Sequence, residues 1–162
     1  MAASAASALA ATSAPASTNA APSEEFIYEV QRTEAEWRAM LSKDEYNILR
    51  KSSTELPKTS PLWNETSEGF YHCKGCSLTS YDSRWKVILD KGWAFFVHSQ
   101  PNAILTDIDG PVAEYGARMD AGPGAYVEVH CRRCSSHLGH LLIADGQQLH
   151  CINGTALDFR PA

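Results

Sequence analysis

The stretch Cys131-Arg-Arg-Cys-Ser-Ser-His-Leu-Gly-His-Leu-Leu-Ile-Ala-Asp-Gly-Gln-Gln-Leu-His-Cys-Ile-Asn153 decides the reading of this chain. It contains a tight cysteine pair, Cys131 and Cys134, and a solitary cysteine, Cys151, 17 positions further on. Between them lie two strand-like runs, "HLGHLLI" and "QLHCI", separated by Asp145-Gly146, the dipeptide that favours a two-residue hairpin turn. Such a hairpin pairs 137–143 with 148–153 and brings His140 across from Cys151 or near it. Cys151 and Asn153 are two residues apart, so on a strand they share one face.

The cysteine pair has a counterpart upstream, Cys73-Lys-Gly-Cys76. Two residues between cysteines let one turn aim both sulfurs at one ion, and two such knuckles complete a tetrahedral set of four thiolates. Gly75 sits where such a turn would tolerate a positive φ. Structural zinc held by Cys73, Cys76, Cys131 and Cys134 is the expectation, joining two distant parts of the chain. Two disulfides, a redox motif and an iron–sulfur cluster are the competing readings. A closed four-sulfur site has no open position for a catalytic water.

Cys151 is then the fifth cysteine of an odd set. A lone buried cysteine is commonly a small apolar core residue. A cysteine beside an imidazole and an amide also has the make-up of an activated nucleophile. His137 and His140 have bland readings too, as core residues or as neighbours of the metal site.

The chain has 162 residues, room for one domain, with 44% hydrophobic residues and a formal net charge of −5. That charge argues against a nucleic-acid binder relying on a basic face, and no apolar run approaches the ~18 residues of a membrane span. Residues 1–23 contain eleven Ala and five Ser and no charged side chain. They are expected to form a disordered tail, leaving residues 24–162 as the domain. A plain tail, an organellar transit peptide and a secretory signal compete for this segment. Transit peptides usually carry Arg, and a secretory signal has a basic start and a continuous apolar core; both features are missing here. The expected location is intracellular, in the cytosol or in an organelle such as a plastid or mitochondrion.

Thr33 with Glu36, and Ser42 with Glu45, have the spacing of capping boxes and predict two short helices. Trp37, Met40 and Leu41 are expected on one face of the first, Tyr46 and Leu49 on one face of the second. The segment "SSTELPKTSPLWNETSEG" reads as an ordered loop. From Gly69 the signal is β: "GFYHC", "RWKVIL", "AYVEVHC" and the two runs above predict six to eight antiparallel strands, with the stretch from Pro101 to Pro123 loop-rich.

The segments "GWAFF", "EVHCRRCSSHLGHLL" and "HCINGTALDF", in this order and with both knuckles, resemble the methionine-R-sulfoxide reductase family over about residues 30–160. The resemblance implies a mainly β fold of two small antiparallel sheets stapled by the four-cysteine zinc site, behind a short helical preface. It implies that Cys151 attacks a methionine-R-sulfoxide, with His140 and Asn153 at the sulfoxide oxygen and His140 the proton source. It makes Trp93 the packing surface for the substrate methyl, with His137 and Phe95 also on the substrate side. The expected product is methionine and a Cys151 sulfenic acid. Oxidised proteins or free methionine sulfoxide are the expected substrates. Thioredoxin, or glutaredoxin with glutathione, is the expected reductant, and the chain is expected to be a monomer. Four positions depart from the family pattern. Ala94-Phe95 follow Trp93 where Pro-Ser is usual. Leu149 stands where many members have Arg. Lys91 stands where many have a resolving cysteine. "YGARMDAGPGAYVEV" is also longer and richer in Gly than its counterparts. A non-catalytic relative that binds peptides or proteins through the zinc fold is the alternative reading.

Overall fold

A computed structural model of the chain describes residues 26–108 and 127–162. The expected tail at 1–23 and most of the long Gly-rich segment from Tyr115 lie outside the described residues.

Both capping boxes form. Helix α1, Glu34–Met40, starts at Thr33, whose hydroxyl accepts from the Glu36 N–H while the Glu36 carboxylate accepts from the Thr33 N–H at 2.7 Å. Helix α2, Lys43–Lys51, repeats this with Ser42 and Glu45. Tyr46, Ile48 and Leu49 of α2 are buried. In α1 the expected apolar face is narrower: Trp37 and the C-cap Leu41 go inside, but Met40 remains 45% exposed. The chain turns extended at Leu41, which ends the helix directly after Met40.

Nine strands follow among the described residues, in two antiparallel sheets. They are β1 Gly69–Cys73, β2 Thr79–Asp82, β3 Lys86–Val87, β4 Ala94–Phe96, β5 Ile104–Ile108, β6 Val127–Cys131, β7 His137–Ala144, β8 Gln147–Ile152 and β9 Leu157–Pro161. The smaller sheet has the order β2-β1-β9 and the larger β3-β4-β8-β7-β6-β5. The run "RWKVIL" is a strand only at Lys86–Val87, because Asp82 accepts from the Arg84 N–H and winds Ser83–Trp85 into a 3-10 turn. β5 occupies part of the stretch expected to be loop.

The sheets meet through aromatic side chains. Phe96 of β4 stacks on Tyr81 of β2 with ring centroids 4.3 Å apart and meets Tyr71 of β1 edge-on at 5.0 Å. Such pairs add about 0.5–1.5 kcal/mol each beyond the area they bury. Trp37, Leu49, Val129, Leu138, Ile152 and Leu157 complete the same core. Among the described residues no helix is long and apolar enough to cross a membrane.

Candidate active site and metal centre

Cys73 ends β1 in the small sheet and Cys131 ends β6 in the large one, so the two knuckles hang from different sheets. They are built alike. Ser77 N–H donates to Cys73 O at 2.7 Å, and Ser135 N–H donates to Cys131 O at 2.9 Å. The left-handed residue in each is this serine, with φ of 60° at Ser77 and 61° at Ser135. Gly75, where a positive φ would be tolerated, does not adopt one. Its requirement is space: a Cβ there would lie 2.6 Å from Ser136 Oγ.

The four Sγ atoms lie within 4.8 Å of one another, with Cys73 and Cys134 at 3.7 Å and Cys76 and Cys131 at 3.5 Å. A tetrahedral ion with sulfur ligands at ~2.3 Å sets its sulfurs about 3.8 Å apart. The four cysteines are therefore placed to hold one metal ion between the sheets. Four thiolates around a divalent ion leave two negative charges, and three guanidinium groups surround them. Arg32 donates to Gly75 O, Arg50 to Cys134 O and Arg133 to Cys76 O, at 3.1, 3.1 and 3.3 Å. Arg32 and Arg50 also pack on the Trp37 ring, which ties the helices to the knuckles.

The second constellation is on β7 and β8. Asp145 and Gly146 have φ of 50° and 79°, as a primed two-residue turn requires. The turn fixes the register, and His140 pairs directly with Cys151. Phe95 of β4 pairs with Cys151 from the other side. The His-Leu-Gly-His glycine makes this close packing possible: a Cβ at Gly139 would lie 2.1 Å from Cys151 O. Cys151 and His140 are 2% and 1% exposed. Cys151 shares a small apolar cluster with Phe95, Ala144 and Leu149, against which Trp93 and Leu142 pack. Burial pushes the Cys151 thiol up to about 12, and the nearby Glu55 carboxylate pushes in the same direction.

His137 stands beside His140, ring centroids 5.2 Å apart. Its Nδ1 donates to the Glu128 carboxylate at 2.5 Å, a bond that holds Glu128 below the usual carboxylate range. This bond fixes a proton on Nδ1 and sets the orientation of the ring. Its Nε2 is buried and has no hydrogen-bond partner.

Asn153 is 1% exposed, and both ends of its amide are engaged. Nδ2 donates to Leu138 O at 3.1 Å, and Oδ1 accepts from the Glu55 N–H at 3.0 Å. The Trp93 indole N–H donates to Glu55 O at 3.1 Å. Glu55, unremarkable in a hydroxyl-rich loop, thus touches both sides of the site, as Glu128 does for His137. Neither was visible in the sequence; the only signal was an acidic residue inside an otherwise uncharged run, Ser52 to Pro57.

The departures from the family pattern also have places. Leu149 is buried in the Cys151 cluster. His150 faces away, with its Nδ1 at 3.1 Å from Tyr81 OH, and burial lowers it to about 4. Lys91 is exposed and pairs with Asp145 at 3.3 Å.

Comparison with known proteins agrees with this layout. The sequence profile of the SelR domain matches residues 41–161. Peptide methionine sulfoxide reductase B3 of Arabidopsis thaliana is 35% identical over 138 residues, covering 82% of this chain and 72% of the relative. Peptide methionine sulfoxide reductase B5 of Oryza sativa subsp. japonica is 34% identical over 137 residues, covering 82% and 92%. The bacterial peptide methionine sulfoxide reductase MsrB of Chromohalobacter salexigens is 35% identical over 138 residues, covering 82% and 96%. With a match of this length and a four-cysteine centre joining two antiparallel sheets, the chain belongs to the SelR-domain family, the peptide methionine sulfoxide reductases B.

Proposed function

We propose that this protein reduces the R epimer of methionine sulfoxide to methionine, with Cys151 as nucleophile. The observation that carries this reading is the direct pairing of buried Cys151 with buried His140 across the β7–β8 hairpin. A module that only binds peptides needs neither a buried thiol nor an imidazole opposite it.

Cys151 Sγ attacks the sulfoxide sulfur while His140 supplies a proton to the sulfoxide oxygen. The Sγ–S bond made in the attack and the substrate S–O bond then both break as the oxygen passes to Sγ, which releases methionine and leaves Cys151 as a sulfenic acid. The sulfoxide is reduced by two electrons and the thiol is oxidised by two. Since burial favours the uncharged thiol at rest, the attacking sulfur and the proton leaving it move within one desolvated pair of groups. His137, oriented by Glu128, stands beside His140 with its buried Nε2 left without a protein partner. Trp93 packs against the substrate methyl, and its indole is held by Glu55 O. A sulfoxide of the other hand cannot keep this methyl contact and also present its sulfur. Phe95 is 1% exposed, so it forms the floor beneath Cys151 rather than an open wall. Asn153 acts as a positioning residue, because its amide already joins β7 to the Glu55 loop.

With the other four cysteines assigned to a structural zinc ion and Lys91 in the usual resolving position, regeneration falls to an outside thiol. A thiol of thioredoxin, of glutaredoxin with glutathione, or of a small dithiol attacks the sulfenic sulfur and water leaves. A second thiol then frees Cys151 from the mixed disulfide.

The test is turnover of both epimers of a methionine-sulfoxide peptide with dithiothreitol. Turnover of the R epimer alone, and none with Cys151→Ser, supports the reading. Equal turnover of the S epimer contradicts it.

A further inference from the structure

Glu55 is 7% exposed and makes contacts to three parts of the site. Its carboxylate accepts from the Gly154 N–H at 2.7 Å and from the Thr155 N–H at 2.8 Å. Its own N–H donates to Asn153 Oδ1, and its own carbonyl accepts from the Trp93 indole. Gly154–Ala156 form a 3-10 turn directly after Cys151-Ile152-Asn153, and the turn needs its first N–H groups satisfied. Asn153 is a residue type suited to that task, yet its side chain makes no capping bond. Its amide is used between Leu138 and Glu55 instead. The turn is therefore capped from 99 residues away.

An ionised carboxylate is an expensive group to bury beside a thiol. A neutral hydroxyl or amide would satisfy one N–H of the turn at lower cost. What only a carboxylate supplies is two acceptors at once, with no donor to oppose either N–H.

We propose that Glu55 is a positioning residue of this site, fixing the Trp93 indole and the turn after Cys151 to a single residue so that substrate wall and nucleophile keep one separation. The inference rests on the reductase reading. The same carboxylate also favours the uncharged Cys151 thiol, which supports a role beyond holding a loop in place.

Glu55→Gln in the full chain tests this, since glutamine keeps the shape but offers a donor to one of the two N–H groups. Three quantities are measured. They are zinc per chain, the pH dependence of Cys151 alkylation by iodoacetamide read by peptide mass spectrometry, and kcat and KM on an R-sulfoxide peptide. The variant is expected to keep its zinc, to alkylate Cys151 with a lower midpoint because the carboxylate charge beside the thiol is gone, and to lose ~10–100-fold in kcat/KM, as outer-contact residues do. Full zinc with both the midpoint and kcat/KM at parent values would overturn the proposal. If Glu55→Gln loses zinc, Thr155→Pro removes one donor from the other end of the contact and leaves the carboxylate in place. A proline is tolerated in the first turn. A ~10-fold loss of kcat/KM with zinc retained then supports the proposal, and parent kinetics overturn it. A parent chain that reduces no sulfoxide would sink the reductase reading alone, because the alkylation midpoint still decides the role of Glu55.

Discussion

Gly139→Ala is the smallest change that tests how Cys151 and His140 are held together. Gly139 has no positive φ among the described glycines; its constraint is room. The added Cβ would sit 2.1 Å from Cys151 O, 2.9 Å from Ile152 Cα and 3.0 Å from Cys151 C, where ordinary contact begins at 3.4 Å. The obstacle is backbone, so no side chain can swing aside, and β7 and β8 must part by more than 1 Å. Overpacking of this kind costs about 1–3 kcal/mol. Stretching one or two ladder bonds, including Asn153 N–H to Leu138 O, adds about 1 kcal/mol each. The total of roughly 2–5 kcal/mol lowers the melting temperature by about 10 °C in a chain of this size. A displacement of about 1 Å between reacting groups also costs about 100-fold in rate. Gly146→Ala is the control. Its φ is +79° but nothing lies within 4 Å of a Cβ there. It should cost only the ~1–2 kcal/mol of a left-handed residue and leave kcat/KM unchanged. Thermal unfolding by circular dichroism and steady-state kinetics on the R-sulfoxide peptide measure both. A Gly139→Ala protein with parent stability and parent kcat/KM would refute the reasoning.

Cys76→Ser should release the metal and unfold the domain, because the ion joins two sheets and its binding is folding free energy; well-folded protein without zinc, measured by elemental analysis, would contradict the metal assignment. Trp93→Ala should raise KM for the R epimer and relax the preference against S, read by chromatography of the two sulfoxide epimers as they are consumed; unchanged kinetics would remove the methyl contact from the mechanism. Cys151 has a folded-state pKa of about 12 against an ordinary 9.0, so folding favours its protonated form. Its contribution is intact below about pH 9 and is lost as pH rises toward 12. Cys151→Ala should therefore lose less stability than the parent between pH 8 and about pH 10.5, and identical losses in paired melts would argue against a desolvated thiol.

What the sequence made legible is what is encoded locally. Thr33-Glu36 and Ser42-Glu45 cap helices by bonds that span three residues, and Asp145-Gly146 fixes a hairpin whose register puts His140 on Cys151. The short strands were harder. Ala94–Phe96 is buried on both faces and so shows no alternation, and Thr79–Asp82 has three of four residues buried. Glu55 and Glu128 were missed for a different reason. Glu55 meets Gly154 and Thr155 across 99 and 100 residues, and Glu128 meets His137 across a strand pair. In sequence Glu55 is an acidic residue with no periodic context, and Glu128 is one polar position of a strand-like run with nothing to mark its partner. The knuckle glycine shows the limit within a motif: Gly75 sits where a positive φ would be tolerated and is required for its lack of a side chain.

In the proposed reaction Cys151 takes the sulfoxide oxygen and has no partner cysteine of its own. The most direct measurement is a single turnover of the R-sulfoxide peptide without reductant, followed by mass spectrometry of the intact chain and its peptides. The account predicts one methionine released per chain and one added oxygen on Cys151, trapped by a sulfenic-acid reagent, with zinc still bound. A disulfide from Cys151 to Cys73, Cys76, Cys131 or Cys134, formed with loss of zinc, would contradict it.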